Sequence, residues 1–559
     1  MTPSRLAAAT ALCALALSGC AQVAPPDALS LADDGAAVRT DPTPAPDLSV
    51  APRPVLRPRP VARAKAARVE APPSRLPTAA EVDQARELVA GLTLPERAGQ
   101  VIVASYTGTR PPTALVNELH LGGIVSFASN VVDPAQVRAA NAALQASAAA
   151  SGRPFPVVSA VDQEGGRVAR LTTGATRFPT FMTAGAARDP SLTQQAYAAL
   201  GGELASVGYT VDFAPDADVT RGPSDPTIGA RSAGSTPSRV ARQADAARRG
   251  IASSGLVAVL KHFPGHGSVT TDSHLGLPVQ TKSVAQLQAT DLVPFRTGIA
   301  NGASTIMVGH LNVRAVDPGV PSSLSRKVVT GLLRGTLGFR GLAVTDSLQM
   351  GAVVEKYGVG GAAVAALKAG EDVLLMPGSP RVARDGIVDA VRSDRLSEAR
   401  LDQAATRMVA LLLHKQAHGL RPVTPGTSTT VSRRLSAAGL TVVKGRCSGR
   451  IVGSRVHVTG PAEVVTRFRT AARDAGLATG TTGTTVRLIG YHGASADGDV
   501  VVAMDTPYVL GTAHGRLAKI ATYGDTGGAM RALVSVLLGR TSAPGRLPVA
   551  VSGVTRTGC

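Results

Sequence analysis

Eight short apolar runs between residues 101 and 375 constrain the fold of this chain more than any other feature. Each run is continuous rather than alternating, which is typical of parallel strands that are buried on both faces. Segments with helical periodicity separate the runs, among them 133–148, 238–253 and 362–369. Eight strand–helix units in roughly 300 residues predict a (β/α)8 barrel of the TIM type. The runs are Val101–Ser105, Gly123–Phe127, Pro156–Val161, Thr210–Phe213, Leu256–Leu260, Thr305–Val308, Leu342–Val344 and Asp372–Leu375.

Polar and titratable residues follow five of the predicted strands directly. In barrel enzymes the active site lies at the carboxyl ends of the strands, where the loops that follow them carry the chemistry. The sequence therefore predicts an enzyme with its active site at this end of the barrel. The residues concerned are Asp162, Asp216 with Asp218, Lys261 with His262, His310 and Asp346.

The stretch Lys261–His274 reads KHFPGHGSVTTDSH and holds three of the ten histidines of the chain. Asp272 and His274 stand two residues apart, so in an extended backbone their side chains lie on the same side. A carboxylate that accepts from an imidazole N–H fixes its tautomer, and such a pair suits general acid–base catalysis. A metal site is the alternative, but the chain has no HExxH or His-x-His spacing, and Lys261 beside His262 would repel a cation. We therefore predict no metal ion and no cofactor.

Asp346 stands alone between an apolar strand and a segment that resembles a helix core. A carboxylate at this end of a barrel is suited to act as a nucleophile, a base or a metal ligand, and a helix N-cap is the structural alternative. A second group of residues offers hydrogen bonds to sugar hydroxyls or to an N-acyl group, although each member would also suit a structural ion pair. This group is Asp162, Arg170, Arg231, Lys261 and His262.

The N-terminus predicts export. Residues 1–20 form a signal peptide that ends in Leu-Ser-Gly-Cys, which resembles the lipobox of bacterial lipoproteins and marks Cys20 for lipidation. An ordinary secretory signal is the alternative. Residues 21–77 are rich in Pro, Ala and Arg and predict a disordered tether. We expect a lipoprotein on the outer face of the cytoplasmic membrane, anchored without a spanning helix.

The rest of the chain divides into two predicted domains. The barrel occupies residues 78–421, a Thr/Pro/Gly-rich linker 422–432, and a smaller αβα sandwich 433–559. Cys447 and Cys559 form an even pair in an oxidising compartment, which makes a disulfide between them plausible. The net charge of +19 fits nucleic acid or an anionic surface or wall polymer, but no zinc-finger spacing, RNA-binding motif or P-loop is present. We therefore predict no nucleic-acid partner, and no obligate protein partner is evident.

Six motifs in order give the chain a resemblance to family 3 glycoside hydrolases, specifically to their bacterial β-N-acetylglucosaminidase branch. The resemblance implies a retaining exo-glycosidase that acts on peptidoglycan-derived amino sugars, with Asp346 as nucleophile. It also implies that Asp272 and His274 form the acid–base dyad and that the second group of residues holds N-acetylglucosamine. The motifs are DQEGGRVARL (Asp162–Leu171), VDFAPDADV (Val211–Val219), IGARS (Ile228–Ser232), KHFPGHG (Lys261–Gly267), DSH (Asp272–His274) and GFRGLAVTDSLQMGAV (Gly338–Val353).

Three alternatives to this activity stay open. A β-glucosidase and a glycoside phosphorylase belong to the same family, and a catalytically inactive, wall-binding lipoprotein is a different class of protein. The chain departs from the common family pattern at Ser268-Val269, Thr220 and Ala233, which leaves its fine specificity open.

Overall fold

A computed structural model describes residues 76–273, 275–491 and 493–559. The predicted signal peptide with Cys20, nearly all of the predicted tether, and His274 lie outside the described residues. Within the described ranges no helix has both the length and the apolar composition that crossing a bilayer requires.

Eight parallel strands form a nearly closed barrel, as the apolar runs predict. Neighbouring strands pair in parallel around the sheet, and a bridge between Val344 and Val373 joins its last two strands. The side chains of these strands are almost all buried, which explains why their sequences are continuous apolar runs. The strands are Ile102–Ser105, Gly123–Ser126, Val158–Val161, Val211–Asp212, Val257–Phe263, Thr305–Val308, Leu342–Thr345 and Leu374–Leu375.

Helices surround the barrel, and most of them connect one strand to the next. Gly358 interrupts the helix Gly351–Ala369 with a φ of 63°, so the predicted helix over 362–369 is only the second half of a longer, kinked one. A small two-stranded sheet, Val279–Gln280 with Asn312–Val313, and a π-helix, Lys327–Thr336, complete this part. The α-helices are Ala79–Ala90, Leu94–Gln100, Thr113–Glu118, Pro134–Ala150, Phe181–Ala187, Pro190–Ser206, Pro237–Ser253, Val284–Ala289, Leu292–Ala300, Gly351–Ala369, Pro380–Arg392 and Glu398–His418.

A six-stranded mixed sheet with its own hydrophobic core forms the C-terminal part. Four of its strand pairings are parallel and one is antiparallel. The strands are Thr441–Lys444, Arg455–Thr459, Ala478–Thr479, Thr484–Ile489, Gly498–Ala503 and Gly515–Ala521, and the helices are Thr429–Gly439, Ala462–Asp474 and Gly527–Leu537.

The segment predicted as a linker is structured. The helix Thr429–Gly439 begins inside it, and the preceding turn is fixed by the buried Glu203, which accepts hydrogen bonds from the N–H groups of Gly426 (3.0 Å) and Ser428 (3.2 Å). Gly439 ends this helix against the barrel, where an added Cβ would lie 2.6 Å from Cγ2 of Thr183. The Thr- and Pro-rich composition predicts a loop, but the buried carboxylate and the close packing order the segment.

A disulfide joins Cys447 and Cys559, whose Cα atoms are 5.5 Å apart. The bond spans 112 residues, so it encloses most of the C-terminal part in one covalent loop. The sequence identifies this pair as plausible, and the structure brings it together.

Candidate active site

The carboxyl ends of the barrel strands bring the predicted polar residues together at one end of the barrel. Lys261 is 2 % exposed, and its Nζ lies 2.7 Å from Oδ1 of Asp162 and 2.7 Å from Oε1 of Glu164. Burial favours the neutral amine, but the charges of the two carboxylates outweigh it and hold the pKa of Lys261 above its ordinary value. Lys261 therefore fixes the Asp162 carboxylate, which retains 19 % side-chain exposure toward the cleft.

Arg231 makes a two-point contact with a buried carboxylate. Its Nε and Nη2 donate to the two oxygens of Glu164 at 2.9 and 2.8 Å. Burial raises the pKa of Glu164, yet the charges of Arg231 and Lys261 outweigh it and lower the pKa below its ordinary value. Glu164 thus pairs with both Arg231 and Lys261, and no local pattern in the sequence singles it out. One signal in the sequence could have identified it. Arg231 and Lys261 are both predicted to contact the sugar, and two buried cations require a buried carboxylate nearby.

His262 is oriented by Asp218. Its Nδ1 lies 2.7 Å from Oδ2 of Asp218, and its Nε2 lies 3.4 Å from Nη2 of Arg231. Burial raises the pKa of Asp218, but the charge of His262 outweighs it and lowers the pKa. Burial and the nearby Asp218 charge raise the pKa of Asp216 well above its ordinary value. The two carboxyl groups of this acidic pair therefore have pKa values that are shifted in opposite directions.

His266 lies beneath this cluster and holds the loop. Its backbone N–H donates to Oδ1 of Asp218 at 2.6 Å, and its Nε2 lies 2.9 Å from Oγ of Ser273. Because His266 is 1 % exposed, it connects the loop to the barrel rather than facing a ligand.

Asp346 directly follows the strand Leu342–Thr345, and its Oδ1 accepts from the N–H of Ser347 at 2.7 Å. The next helix begins at Gly351, so the alternative reading of Asp346 as a helix N-cap is wrong. Burial raises the pKa of Asp346, but the imidazoles of His262 and His310 and the Ser347 N–H outweigh it and lower the pKa to about 2. The carboxylate is therefore ionised at physiological pH, as a nucleophile must be.

Arg170 lies beside Phe127 and Gln163, in the loop that follows the strand Val158–Val161. Its guanidinium carbon is 5.4 Å from the centroid of the Phe127 ring, and its backbone N–H donates to Oε1 of Gln163 at 2.7 Å. Its buried Nε has no hydrogen-bond partner among the described residues. A buried donor in this state is suited to pair with an oxygen of a bound ligand.

The loop that carries Asp272 turns at this residue. The N–H of Leu275 donates to the carbonyl oxygen of Asp272 at 3.0 Å. Because His274 itself lies outside the described residues, its catalytic role stays a prediction.

Within the part of the chain that the structure describes, two groups of residues have the donor atoms of a metal site: Asp216, Asp218 and His262, and Glu81 with His414 and His418. In the first group Nη2 of Arg231 lies 3.7 Å from Oδ2 of Asp216, so a guanidinium already supplies positive charge there. In the second, Nδ1 of His414 is paired with Glu81 at 3.0 Å. These contacts fit paired structural groups better than metal ligands.

Comparison with known proteins agrees with this geometry. Residues 93–411 match the family model for the glycosyl hydrolase family 3 N-terminal domain. The chain belongs to glycosyl hydrolase family 3. The resemblance drawn from the motifs is thereby confirmed at the level of the family.

Several family 3 relatives carry a more specific name. Beta-hexosaminidase A of Pseudoalteromonas piscicida is 33% identical over 54% of this chain but only 55% of its own length. Beta-hexosaminidase LpqI of Mycobacterium tuberculosis is 34% identical over 56% of this chain and 82% of its own. The solved family 3 beta-N-acetylglucosaminidase from Paenibacillus sp. str. FPU-7 is 31% identical, with a TM-score of 0.75, and the match covers 83% of this chain and 100% of that one.

The C-terminal part borders the family 3 site. The guanidinium carbon of Arg167, three residues after Glu164, lies 3.3 Å from the centroid of the Tyr491 ring, and its Nε lies 3.6 Å from Oδ1 of Asp505. A cavity of about 260 Å³ lies between these residues and the loop that leads to Arg231. The sandwich thus forms one wall beside the barrel loops, a relationship that the sequence leaves undetermined.

Proposed function

We propose that this chain is an exo-β-N-acetylglucosaminidase that removes terminal β-linked N-acetylglucosamine by a retaining double displacement. The observation that carries the proposal is the Asp346 carboxylate, which is held ionised at a strand end beside the cluster of Asp162, Lys261 and His262. The names of the relatives support the choice of sugar.

In the first step an Asp346 oxygen bonds to the anomeric carbon, and the bond from that carbon to the leaving oxygen breaks. His274 gives its proton to the leaving oxygen. In the second step water attacks the same carbon, loses a proton to His274, and releases Asp346 as a carboxylate. In this proposal the Asp272 carboxylate accepts from the His274 imidazole and fixes its tautomer.

The sugar is held by the residues whose hydrogen-bonding atoms remain available at the cleft. The Asp162 carboxylate accepts from sugar hydroxyls, and Nε of Arg170 donates to a sugar oxygen. Arg231 and Lys261 mainly hold the neighbouring carboxylates in position, because both are paired with Glu164 in the free protein. This assignment refines the prediction that all five residues contact N-acetylglucosamine directly.

The proposed setting is the cell envelope, and the proposed substrates are glycans of the cell-wall type, including peptidoglycan fragments. The supporting observations are the N-terminal sequence that ends at Cys20, the net charge of +19, and the Cys447–Cys559 disulfide. Disulfides persist in oxidising compartments, and a cationic protein is attracted to anionic wall polymers and lipids. Membrane attachment through the lipid on Cys20 is tested by Cys20→Ser, which should move the protein from the membrane fraction to the soluble one.

The central experiment compares wild type with Asp346→Ala and His274→Ala on aryl β-N-acetylglucosaminide and aryl β-glucoside. We expect wild type to prefer the N-acetylglucosaminide and both variants to lose turnover while keeping their thermal unfolding temperature. Faster turnover of the glucoside would identify a β-glucosidase. The formation of sugar 1-phosphate in phosphate buffer would identify a phosphorylase, and an inert wild type would leave a binding protein.

A further inference from the structure

A cavity of about 500 Å³ lies inside the barrel at the end opposite the candidate active site. The first residues of five strands line it, together with residues from the surrounding helices. In (β/α)8 barrels this space is ordinarily filled by layers of bulky branched side chains. The five residues are Val158, Val211, Val257, Thr305 and Leu342.

The cavity has a buried inner end and an exposed mouth. Val257, Val344 and Val373 line the inner end and are 4, 3 and 2 % exposed. Ala142 and Leu420 lie at the mouth and are exposed, on the helix Pro134–Ala150 and just beyond the helix Glu398–His418. A ligand therefore enters between these two helices and reaches an apolar interior.

Two cationic side chains line the cavity near its mouth. Nε of Arg138 donates to the carbonyl of Ser206 at 2.9 Å, and Nζ of Lys415 donates to the carbonyl of Leu256 at 3.3 Å. Among the described residues that line the cavity, none is Asp or Glu. The mouth is therefore positively charged, while the interior is apolar.

We propose that this cavity binds a long-chain fatty acid, with the alkyl chain inside the barrel and the carboxylate between Arg138 and Lys415. The volume lies within the range of small-molecule sites, roughly 300–1,000 Å³, which are mainly apolar with a few placed polar groups. Cavities with an interior lined by aliphatic side chains take up apolar ligands. The site is independent of the proposed glycosidase activity, because it lies at the other end of the barrel.

One polar atom in the inner part provides a sharp test of ligand type. Thr305 lines the cavity, and its hydroxyl has no hydrogen-bond partner among the described residues. An alkyl chain gains nothing from this hydroxyl, so Thr305→Val should keep or strengthen fatty-acid binding. A loss of binding in Thr305→Val would show that the ligand carries a polar group at its inner end, which overturns the proposal.

The direct experiment titrates the full-length protein with cis-parinaric acid, a long-chain fatty acid that fluoresces in apolar surroundings. We expect Val257→Phe, which fills the interior, and Ala142→Trp, which covers the mouth, to weaken binding at least tenfold. Ala139→Trp is the matched control, because Ala139 is exposed on the same helix but does not line the cavity. Binding that is unchanged in both Val257→Phe and Ala142→Trp would refute the site.

The charge of the head group is tested with the methyl ester of the same acid and with Lys415→Gln. The acid should bind roughly tenfold more tightly than the ester in wild type, and Lys415→Gln should remove this preference. Shortening a saturated competitor by two methylenes should weaken its binding by roughly fifteenfold, since each buried methylene contributes a factor of about four. Equal binding of acid and ester in wild type would overturn the carboxylate assignment.

Retained aryl-glycoside hydrolysis in every variant would confirm that the barrel is folded.

Discussion

Nδ1 of His262 lies 2.7 Å from Oδ2 of Asp218, and both side chains are buried at the end of the barrel strands. Asp218 also accepts a hydrogen bond from the backbone N–H of His266, so one carboxylate orients a proposed sugar contact and anchors the loop behind it. The stability of this end of the barrel and the position of the imidazole therefore depend on the same residue.

We expect Asp218→Asn to lower the free energy of unfolding by about 3 kcal/mol, because it leaves a buried imidazole without its charge partner. KM for the aryl N-acetylglucosaminide should rise as well. The measurements are chemical denaturation and steady-state kinetics. Asp497→Asn is the matched control, since Asp497 forms an exposed pair with His514 at 3.2 Å, and its loss should leave stability unchanged. Equal effects of the two substitutions would contradict the assignment.

Removal of the Asp346 carboxylate should abolish turnover without unfolding the protein. In Asp346→Ala we expect kcat to fall by at least about a thousandfold, because no covalent intermediate can form. Sodium azide should restore part of the rate and give the glycosyl azide of inverted configuration, as an external nucleophile replaces the carboxylate. Loss of activity together with a large drop in unfolding temperature would point instead to a structural role.

The pH profile should separate the nucleophile from the acid–base group. Asp346 has a pKa of about 2, so it is ionised over the whole range in which the enzyme is assayed. Any limb of kcat/KM between about pH 5 and 8 therefore belongs to another group, and we expect it to follow the imidazole of His274. In His274→Gln, measured on an aryl glycoside with a good leaving group, this limb should disappear. A limb that persists unchanged would exclude His274.

His120 should make the barrel less stable in acid. Burial, followed by the charge of Arg153, lowers the pKa of His120 from 6.5 to about 4. The unfolded chain thus binds more protons than the folded one between these values, and the free energy of unfolding falls as the pH falls through this interval. His120→Asn should reduce the slope of stability against pH, since Asn tolerates the positive φ of 52° at this position. Denaturation curves at several pH values measure the slope, with His514→Asn as an exposed control. An unchanged slope would show that folding does not shift the pKa of His120.

The disulfide should contribute substantially to stability. A loop of 112 residues between Cys447 and Cys559 predicts a loss of about 5 kcal/mol in the double serine variant. A reducing agent should lower the unfolding temperature of wild type to that of the variant and leave the variant unchanged. If the reductant has no effect on wild type while its thiols become titratable, the bond carries no stabilisation.

The sequence predicts the barrel because a strand that is buried on both faces appears in the sequence as a continuous apolar run. It also predicts Asp346 and Lys261, because strand ends can be located from these runs. The role of Glu164 as a buried counter-charge could not be predicted, because its partner Arg231 is 67 residues away. No local pattern shows which carboxylate a buried cation will contact. The helix that begins at Thr429 could not be predicted for a related reason. The structure of this segment depends on hydrogen bonds to Glu203 and on packing against the barrel.

Three glycines, among them Gly439, allow close contact between the barrel and the C-terminal part. At three glycines the barrel and the C-terminal part approach so closely that an added Cβ would be too near a neighbouring atom. This Cβ would lie 2.6 Å from Cγ2 of Thr183 for Gly439 and 2.6 Å from the carbonyl oxygen of Pro548 for Gly234. For Gly524 it would lie 3.1 Å from Cβ of Pro179. A seam of this kind cannot be adapted by exchanging surface side chains, because the main chain itself forms the contact. Within this chain the barrel and the C-terminal part are therefore closely fitted to each other along the seam. A graft of the C-terminal part onto another barrel, or its deletion from this one, would require redesign of both sides of the seam.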